Sequence, residues 1–172
     1  PLSELESIPH ETALVVPSTE EHLELLQDMF NALESTQDSR YREHLHWFYR
    51  DGMVDKAQKY LEHLIQLNTD QTKITRVIIE HGELVGIIDY NLVKQYGYIG
   101  YYKNPLSRSR TGMQHALTQT ADSLIQQGVI PRLVINRANH ASIGLAHRSG
   151  FVQDSDSDLP DAVALEKRSI TE

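Results

Sequence analysis

The stretch Tyr98-Ile-Gly-Tyr-Tyr-Lys-Asn-Pro-Leu-Ser-Arg-Ser-Arg-Thr-Gly-Met113 decides the fold of this chain. A strand runs into a turn that carries two arginines and a glycine, and an amphipathic helix begins directly behind the turn. Such a layout directs backbone N–H groups and a helix N-terminus at one point, which is how proteins hold a phosphate without a metal. A second segment, Asn139-His-Ala-Ser142, follows another short apolar strand and strengthens this interpretation.

The composition is that of one globular domain spanning residues 1–172, large enough for a full hydrophobic core. Because the chain begins at Pro1, we expect either a removed initiator methionine or a domain cut from a longer protein. No apolar run approaches the length of a membrane span, so we expect no membrane partner. The absence of cysteine excludes disulfides and thiolate metal sites, and it fits a cytoplasmic location.

The formal net charge of −8 argues against a nucleic acid polymer as the partner, since phosphate backbones require a basic face. The same charge favours a cationic substrate such as an amine. Nine histidines without cysteine do not make a metal site, and we expect them to be surface or packing residues.

The N-terminal part of the chain predicts one strand and three helices. The strand covers residues 12–16, and a capping box at Ser18-Thr-Glu-Glu21 indicates a helix that begins near residue 19. A second helical stretch carries Leu45, Trp47 and Phe48. A third helix has one apolar face formed by Val54, Ala57, Leu61, Leu64 and Ile65.

The remainder predicts a sheet interrupted by two helices. Period-two patterns indicate strands near residues 73–79, 84–93 and 96–103, with a turn at His81-Gly82. A helix over about 111–127 ends at Gly128, a strand covers 131–136, a helix over 139–149 ends at Gly150, and a last strand covers 163–168. The order predicts an α/β fold with a mixed sheet and helices on both faces.

These segments resemble the GNAT (GCN5-related) N-acetyltransferases, and among them the RimJ/RimL branch, which acetylates the α-amino ends of ribosomal proteins. Ile99-Gly-Tyr-Tyr102 is similar to the "IGYW" strand of that branch, and Asn139-His-Ala-Ser142 with Ala146-His-Arg-Ser-Gly-Phe151 is similar to its "N-x-x-S … GF" segment. Tyr41-Arg-Glu-His-Leu-His-Trp47 is similar to its "YLRxWLPW" stretch. The resemblance implies a mostly antiparallel sheet whose central parallel strands splay apart, and acetyl-CoA as co-substrate without a metal.

The acyl-CoA loop of the family reads Q/R-x-x-G-x-G/A, and this chain departs from it. Arg108 fits the first position, but Thr111 replaces the first glycine and Met113 replaces the last small residue. Thr111 is tolerable only if its φ is negative, and Gly112 can take up strain there. By the resemblance, the loop from Arg108 through Arg110 to Met113 holds the pyrophosphate of CoA.

The resemblance also implies how the thioester is treated. A backbone N–H near Tyr101, Tyr102 or Lys103 should polarise its carbonyl, and Asn139 should hydrogen-bond the pantetheine arm. Many members use a tyrosine to protonate the departing thiolate, but Ala146 occupies that position. The RimL-like branch instead places a serine where Ser142 stands, and this resemblance implies that Ser142 is the general acid; the alternative is that Ser142 only caps its helix.

The base that accepts the proton of the amine is expected at Asp161, because the branch uses a carboxylate downstream of "GF". His44, His46 and Glu83 are alternatives. Trp47 and Tyr60 are expected to line the acceptor pocket, where flat rings can stack on a planar group, the alternative being core packing.

Together these patterns predict an N-acetyltransferase that acts on a primary, α-type amine. No cysteine can form an acyl-enzyme, which favours direct attack in a ternary complex. The acceptor is a protein N-terminus or an aminoacyl small molecule, including aminoacyl-nucleotide antibiotics of the microcin type, for which such enzymes serve as self-immunity factors. The alternative is a non-catalytic GNAT-like module that senses acyl-CoA. The protein is expected to be a monomer or a homodimer.

Overall fold

The structure, a computed structural model, describes residues 12–35, 56–157 and 159–170. In chain order the elements are β1 Ala13–Val15, α1 Thr19–Ser35, α2 Lys56–Thr69, β2 Ile74–Glu80, β3 Glu83–Val93, β4 Tyr96–Lys103, α3 Gly112–Gln126, β5 Ile130–Asn136, α4 His140–Arg148, β6 Val152–Gln153 and β7 Ala162–Glu166. The helix predicted around Leu45, Trp47 and Phe48 lies outside the described residues.

Seven strands form one sheet in the order β1-β2-β3-β4-β5-β7-β6. Every neighbouring pair is antiparallel except β4 with β5, which run parallel. The predicted α/β fold with a mostly antiparallel sheet is confirmed. Strand β6 was not predicted, because two residues are too short to show a period-two pattern.

The one parallel pair is also the place where the sheet opens. β4 pairs with β5 only through Tyr96, Gly97 and Tyr98, which face residues 130–132. Beyond this point β4 continues to Lys103 beside β3, whereas β5 continues to Asn136 beside β7. The two strands therefore diverge, and the predicted splay between central parallel strands is confirmed.

Two hydrophobic cores lie on opposite faces of the sheet. The core beneath α3 and α4 has as its largest fully buried members Phe151, Leu117, Leu124, Leu133 and Leu165. The core beneath α1 and α2 is built around Leu26, Leu61, Val77 and Ile87. The helices expected on both faces are thus present. The opening between β4 and β5 therefore has α3 and α4 on one side of the sheet and α1 and α2 on the other. No helix in the described ranges combines the length and the apolar character that crossing a membrane requires.

The predicted helix and turn signals hold with one change. Ser18 caps α1, since its Oγ accepts a hydrogen bond from the Glu21 N–H at 3.3 Å. The return bond of the capping box is made by His22 rather than Glu21, because the Ser18 N–H donates to His22 Nδ1 at 2.9 Å. Gly128 and Gly150 end α3 and α4 with φ of +79° and +89°.

Candidate active site

The edge of β4 that borders the opening presents unpaired backbone groups. The Ile130 N–H donates to the Gln95 carbonyl at 2.9 Å, so odd-numbered residues of β4 turn their polar groups toward β5. The Asn104 N–H donates to Val85 on β3 at 2.9 Å, so even-numbered residues face β3. Of the three N–H groups proposed to polarise the thioester, those of Tyr101 and Lys103 therefore face the opening, and that of Tyr102 faces β3.

The side chains of Tyr101 and Ser142 meet beside this edge. Their two hydroxyl groups share a hydrogen bond, and the Tyr101 hydroxyl also lies 3.4 Å from the Ser142 carbonyl oxygen. Burial raises the pKa of Tyr101, while the hydrogen bond with Ser142 and the charge of Arg148 lower it in part. The phenol consequently keeps its proton at neutral pH.

The N-terminus of α4 separates the roles of Asn139 and Ser142. Asn139 is the N-cap, and its Oδ1 accepts a hydrogen bond from the Ser142 N–H at 3.2 Å. Capping is thus done by Asn139, and the Ser142 hydroxyl lies against Tyr101 instead. Among the described residues the Asn139 side-chain nitrogen makes no hydrogen bond, which leaves it available to a ligand.

The Glu80 carboxylate of β2 anchors the loop before α3 through Ser109. The Ser109 hydroxyl donates to Glu80 at 3.0–3.1 Å, and the Ser109 oxygen accepts the Gly112 N–H at 2.8 Å. Glu80 also accepts the Thr12 hydroxyl at 3.2 Å. Thr111 has φ −124°, the negative value that a threonine requires at this position. A glycine is favoured at position 112 because a side chain has no room there, not because of its backbone conformation. A β-carbon would lie 2.5 Å from Ser109 Oγ.

The front of the loop carries the groups expected to hold pyrophosphate. Arg108 and Arg110 are exposed and form no ion pair in the described part of the chain. The N–H groups of Met113 and Gln114 have no acceptor among the described residues, so they add to the positive end of α3. The Met113 side chain is buried in the core, which leaves only its backbone to a ligand.

The residues predicted as base or as lining of the acceptor pocket do not come together in the described structure. Asp161 is exposed at the start of β7, and its carbonyl accepts the Arg137 N–H at 3.0 Å beside the end of β5. Glu83 is exposed in the β2–β3 hairpin. Tyr60 is 4% exposed in the α1–α2 core, with its ring 5.4 Å from Phe30. Trp47, His44 and His46 lie outside the described residues.

Three contributions were missed from the sequence. The Tyr101 hydroxyl was overlooked because its contact with Ser142 joins residues 41 positions apart. The Glu80–Ser109 link spans 29 positions and has no local signature. Arg148 was read only as part of a motif, although its charge acts on Tyr101. No group of three or more metal-ligating side chains occurs in the ranges that the structure describes.

A sheet opened along its one parallel pair, with an anion cradle at the following loop and helix, defines an acyl-CoA-dependent acyltransferase. The family profile "Acetyltransferase (GNAT) family" matches residues 22–151, and the chain belongs to this family. The predicted co-substrate, acetyl-CoA, and the predicted acetyltransferase activity are confirmed at the level of the family. No curated protein matches the sequence significantly.

Solved structures share the fold at low identity. The Microcin C7 self-immunity acetyltransferase MccE, in complex with acetyl-CoA and AMP, has a TM-score of 0.65 at 16% identity, covering 91% of this chain and 92% of that one. RimL, a ribosomal alpha-N-protein acetyltransferase, has 0.65 at 14%, covering 93% and 96%. The PaiA N-acetyltransferase from Thermoplasma acidophilum, with coenzyme A, has 0.63 at 14%, covering 94% and 100%. The fold is therefore that of the predicted RimJ/RimL-like branch.

Proposed function

We propose that this protein transfers the acetyl group of acetyl-CoA to a primary α-amine by direct attack in a ternary complex. The observation that carries the proposal is the hydrogen-bonded hydroxyl pair of Tyr101 and Ser142 beside the opening of the sheet. A pair of partly buried hydroxyls at this position can supply a proton to the thiolate that leaves as the amide forms.

Binding of acetyl-CoA uses the groups along one side of the opening. Arg108, Arg110 and the free N–H groups at the start of α3 hold the pyrophosphate. The Asn139 side-chain nitrogen donates to the pantetheine arm. The thioester then lies beside the β4 edge, where the N–H of Tyr101 or Lys103 polarises its carbonyl.

The chemical step forms the C–N bond and breaks the C–S bond. The amine attacks in its neutral form, since an ammonium has no lone pair. Ser142 gives its proton to the CoA thiolate, Tyr101 resupplies Ser142 through their hydrogen bond, and a solvent proton returns to Tyr101. The attacking nitrogen loses its extra proton to a base, for which Asp161 is the candidate taken from the sequence. The chain has no cysteine, so no cysteinyl acyl-enzyme can form.

Two acceptors compete, a protein N-terminus and an aminoacyl small molecule. RimL is named as an acetyltransferase of a ribosomal protein N-terminus, which corresponds to the first class. MccE, a microcin self-immunity acetyltransferase, was solved in complex with AMP, which corresponds to the second. A stacking clamp at Trp47 would favour the second class, since a peptide offers no flat base to stack on. Tyr60, 4% exposed in the α1–α2 core, packs there instead. Trp47→Ala should then lower turnover of an aminoacyl sulfamoyl adenosine far more than turnover of a plain peptide. Equal losses on the two substrates would argue against the clamp.

The test of the activity is release of free thiol from acetyl-CoA in the presence of peptide and aminoacyl amines. We expect amine-dependent turnover, a loss of about 100-fold in kcat for Ser142→Ala and a smaller loss for Tyr101→Phe. Ser123→Ala, which removes an exposed serine hydroxyl from α3, should retain full activity.

The competing candidate is a non-catalytic acyl-CoA sensor, which the irregular glycine pattern of the loop favours. Tight acetyl-CoA binding without turnover of any amine, unaffected by Ser142→Ala, would establish the sensor. No turnover together with no thermal shift by acetyl-CoA would overturn both.

A further inference from the structure

Asp89 is a half-buried acid on β3 that the mechanism above does not use. It pairs with Gly100 on β4, and its carboxylate leans across that glycine. A β-carbon added at Gly100 would lie 3.0 Å from Asp89 Oδ1, and the three nearest atoms all belong to the Asp89 carboxyl group. The missing side chain of Gly100 therefore creates the space that the carboxylate occupies on β4.

The carboxylate lies on the face of the sheet opposite to Ser142. Thr75, the β2 partner of Asp89, points into α2, where its hydroxyl contacts the Leu64 carbonyl at 3.3 Å and the Asn68 side chain at 2.8 Å. Tyr101 meets Ser142 under α4 on the other face. Because Asn139 and Ser142, the residues proposed to contact CoA, lie on the α3–α4 side, the proposed mechanism brings the acceptor from the α1–α2 side, which is the side of Asp89.

Asp89 is also close to the opening itself. Gly100 lies just beyond Tyr98, the last residue of β4 that pairs with β5. Neighbouring strands are about 4.8 Å apart, so a group above β4 stands about one strand spacing from the gap that β5 leaves. An amine in the gap can thus reach the carboxylate directly or through one water molecule.

The charges around Asp89 suit a base. Among the described residues, the groups that act on it are Tyr60 of α2, Tyr102 of β4, Lys73 before β2 and the Gly100 N–H. Burial raises the pKa of Asp89, and Lys73 and the Gly100 N–H lower it in part. Burial likewise raises the pKa of Tyr60 and Tyr102, so both phenols are neutral at physiological pH. Asp89 supplies the carboxyl group of this cluster, beside two phenols and a lysine.

We propose that Asp89 binds the ammonium form of the acceptor and takes its proton before attack. The inference rests on the proposed acetyl transfer and replaces Asp161 as the base. The ammonium passes one proton to the Asp89 carboxylate, and the resulting amine forms the C–N bond as the C–S bond breaks. The second proton of the nitrogen passes to water, and Ser142 protonates the departing thiolate. Ser142 regains its proton from solvent through Tyr101, and Asp89 releases its proton to solvent. An α-amine, with a pKa of about 7.7–8.0, needs only a weak base of this kind.

The test measures kcat/KM for Asp89→Asn and Asp161→Asn, with Asp156→Asn as a surface control. The substrate is a peptide with a free N-terminus or an aminoacyl sulfamoyl adenosine, whichever the wild type turns over. For Asp89→Asn we expect a loss of about 100-fold in kcat/KM for the amine near pH 7. The loss should shrink near pH 9, where the amine is already neutral, and the Kd for acetyl-CoA should stay within about threefold of wild type. Asp156→Asn should match the wild type.

Gly100→Ala is the second variant, because its methyl group displaces the carboxylate without removing it. It should lower kcat/KM for the amine in the same pH-dependent way, which separates lost function from lost folding of Asp89→Asn. A loss below threefold for Asp89→Asn, or a pH-dependent loss in Asp161→Asn alone, overturns the assignment of Asp89 while leaving the transferase intact. A wild type inactive on every amine instead overturns the proposed function and this inference with it.

Discussion

Gly112 offers the sharpest test of the loop, because the effect of a single methyl group can be worked from its surroundings. In Gly112→Ala the new β-carbon would lie 2.5 Å from Ser109 Oγ, 2.7 Å from Glu80 Oε2 and 3.1 Å from Val85 Cγ1. The two oxygens end side chains that can rotate away, so the cost is the hydrogen bonds that they give up. These are the Gly112 N–H bond to Ser109 at 2.8 Å and the Ser109 bond to the Glu80 carboxylate at 3.0 Å.

A neutral hydrogen bond contributes about 0.5–1.5 kcal/mol and one to a charged group about 1.5–3 kcal/mol. Since both bonds are only partly buried, we expect Gly112→Ala to lower the free energy of unfolding by about 2 kcal/mol, a fall of roughly 4–8 °C in Tm. Acetyl-CoA binding should weaken as well, because the loop would lose the contact that fixes its backbone. Chemical denaturation and titration calorimetry measure the two effects.

Gly144→Ala is the matched control. Gly144 lies within α4, and the one atom near its added β-carbon is the flexible Arg148 Nη1 at 3.2 Å. Replacing a helical glycine by alanine there should stabilise the protein by about 0.5–1 kcal/mol. If Gly112→Ala proved neutral, or stabilising like the control, the loop would not depend on the Glu80–Ser109 link and this reasoning would be refuted.

Three further predictions concern stability. Phe151→Ala should lower the free energy of unfolding by about 3–5 kcal/mol, because this ring is 1% exposed in the core; a urea titration showing less than about 1 kcal/mol would contradict its placement. Asp122→Ala should cost about 3 kcal/mol at low and high salt alike, since it breaks a 2.9 Å ion pair with the buried Lys167, and a loss that salt abolishes would indicate a surface pair. The folded-state pKa of Tyr60 is raised by burial, so its contribution to stability is full below pH 10 and is lost as rising pH ionises it; denaturation between pH 8 and 11 should show a shallower alkaline loss in Tyr60→Phe than in wild type.

The proposed acetyl-transfer site draws on both faces of one sheet. Tyr101 and Ser142 lie on the face beneath α3 and α4, and Asp89 lies on the opposite face of the same pair of strands. Adjacent residues of a strand point to opposite faces, so Gly100 and Tyr101 belong to different sides of the sheet. In the proposed mechanism this separation keeps the proton donor for the thiolate away from the base for the amine.

Much of the fold could be read from the chain because its signals are local. The helix over 112–126, the turn at His81-Gly82 and the glycine stops at Gly128 and Gly150 all follow from spacing and from residues that tolerate positive φ. The capping box at Ser18 was correct about the helix start and wrong about its second partner, because Glu21 and His22 both lie within reach and only packing chooses between them.

The site was predicted only in part. Asn139, Ser142 and the loop could be located because they belong to a contiguous motif that resembles a known family. For Tyr101 only the backbone N–H was predicted to take part. The contact of its hydroxyl with Ser142 depends on how α4 packs against β4. Asp89 carries no motif, and its position over Gly100 follows from strand register alone.

The sequence by itself determined the longer elements, their order and the loop proposed to bind an anion, because these depend on periodicity and turn chemistry within short windows. Tertiary structure decided which side chains meet: Glu80 with Ser109, Tyr101 with Ser142, and Asp89 with Gly100. The physical reason is that strand pairing and helix packing bring together residues far apart in the chain, and no local pattern encodes those distances.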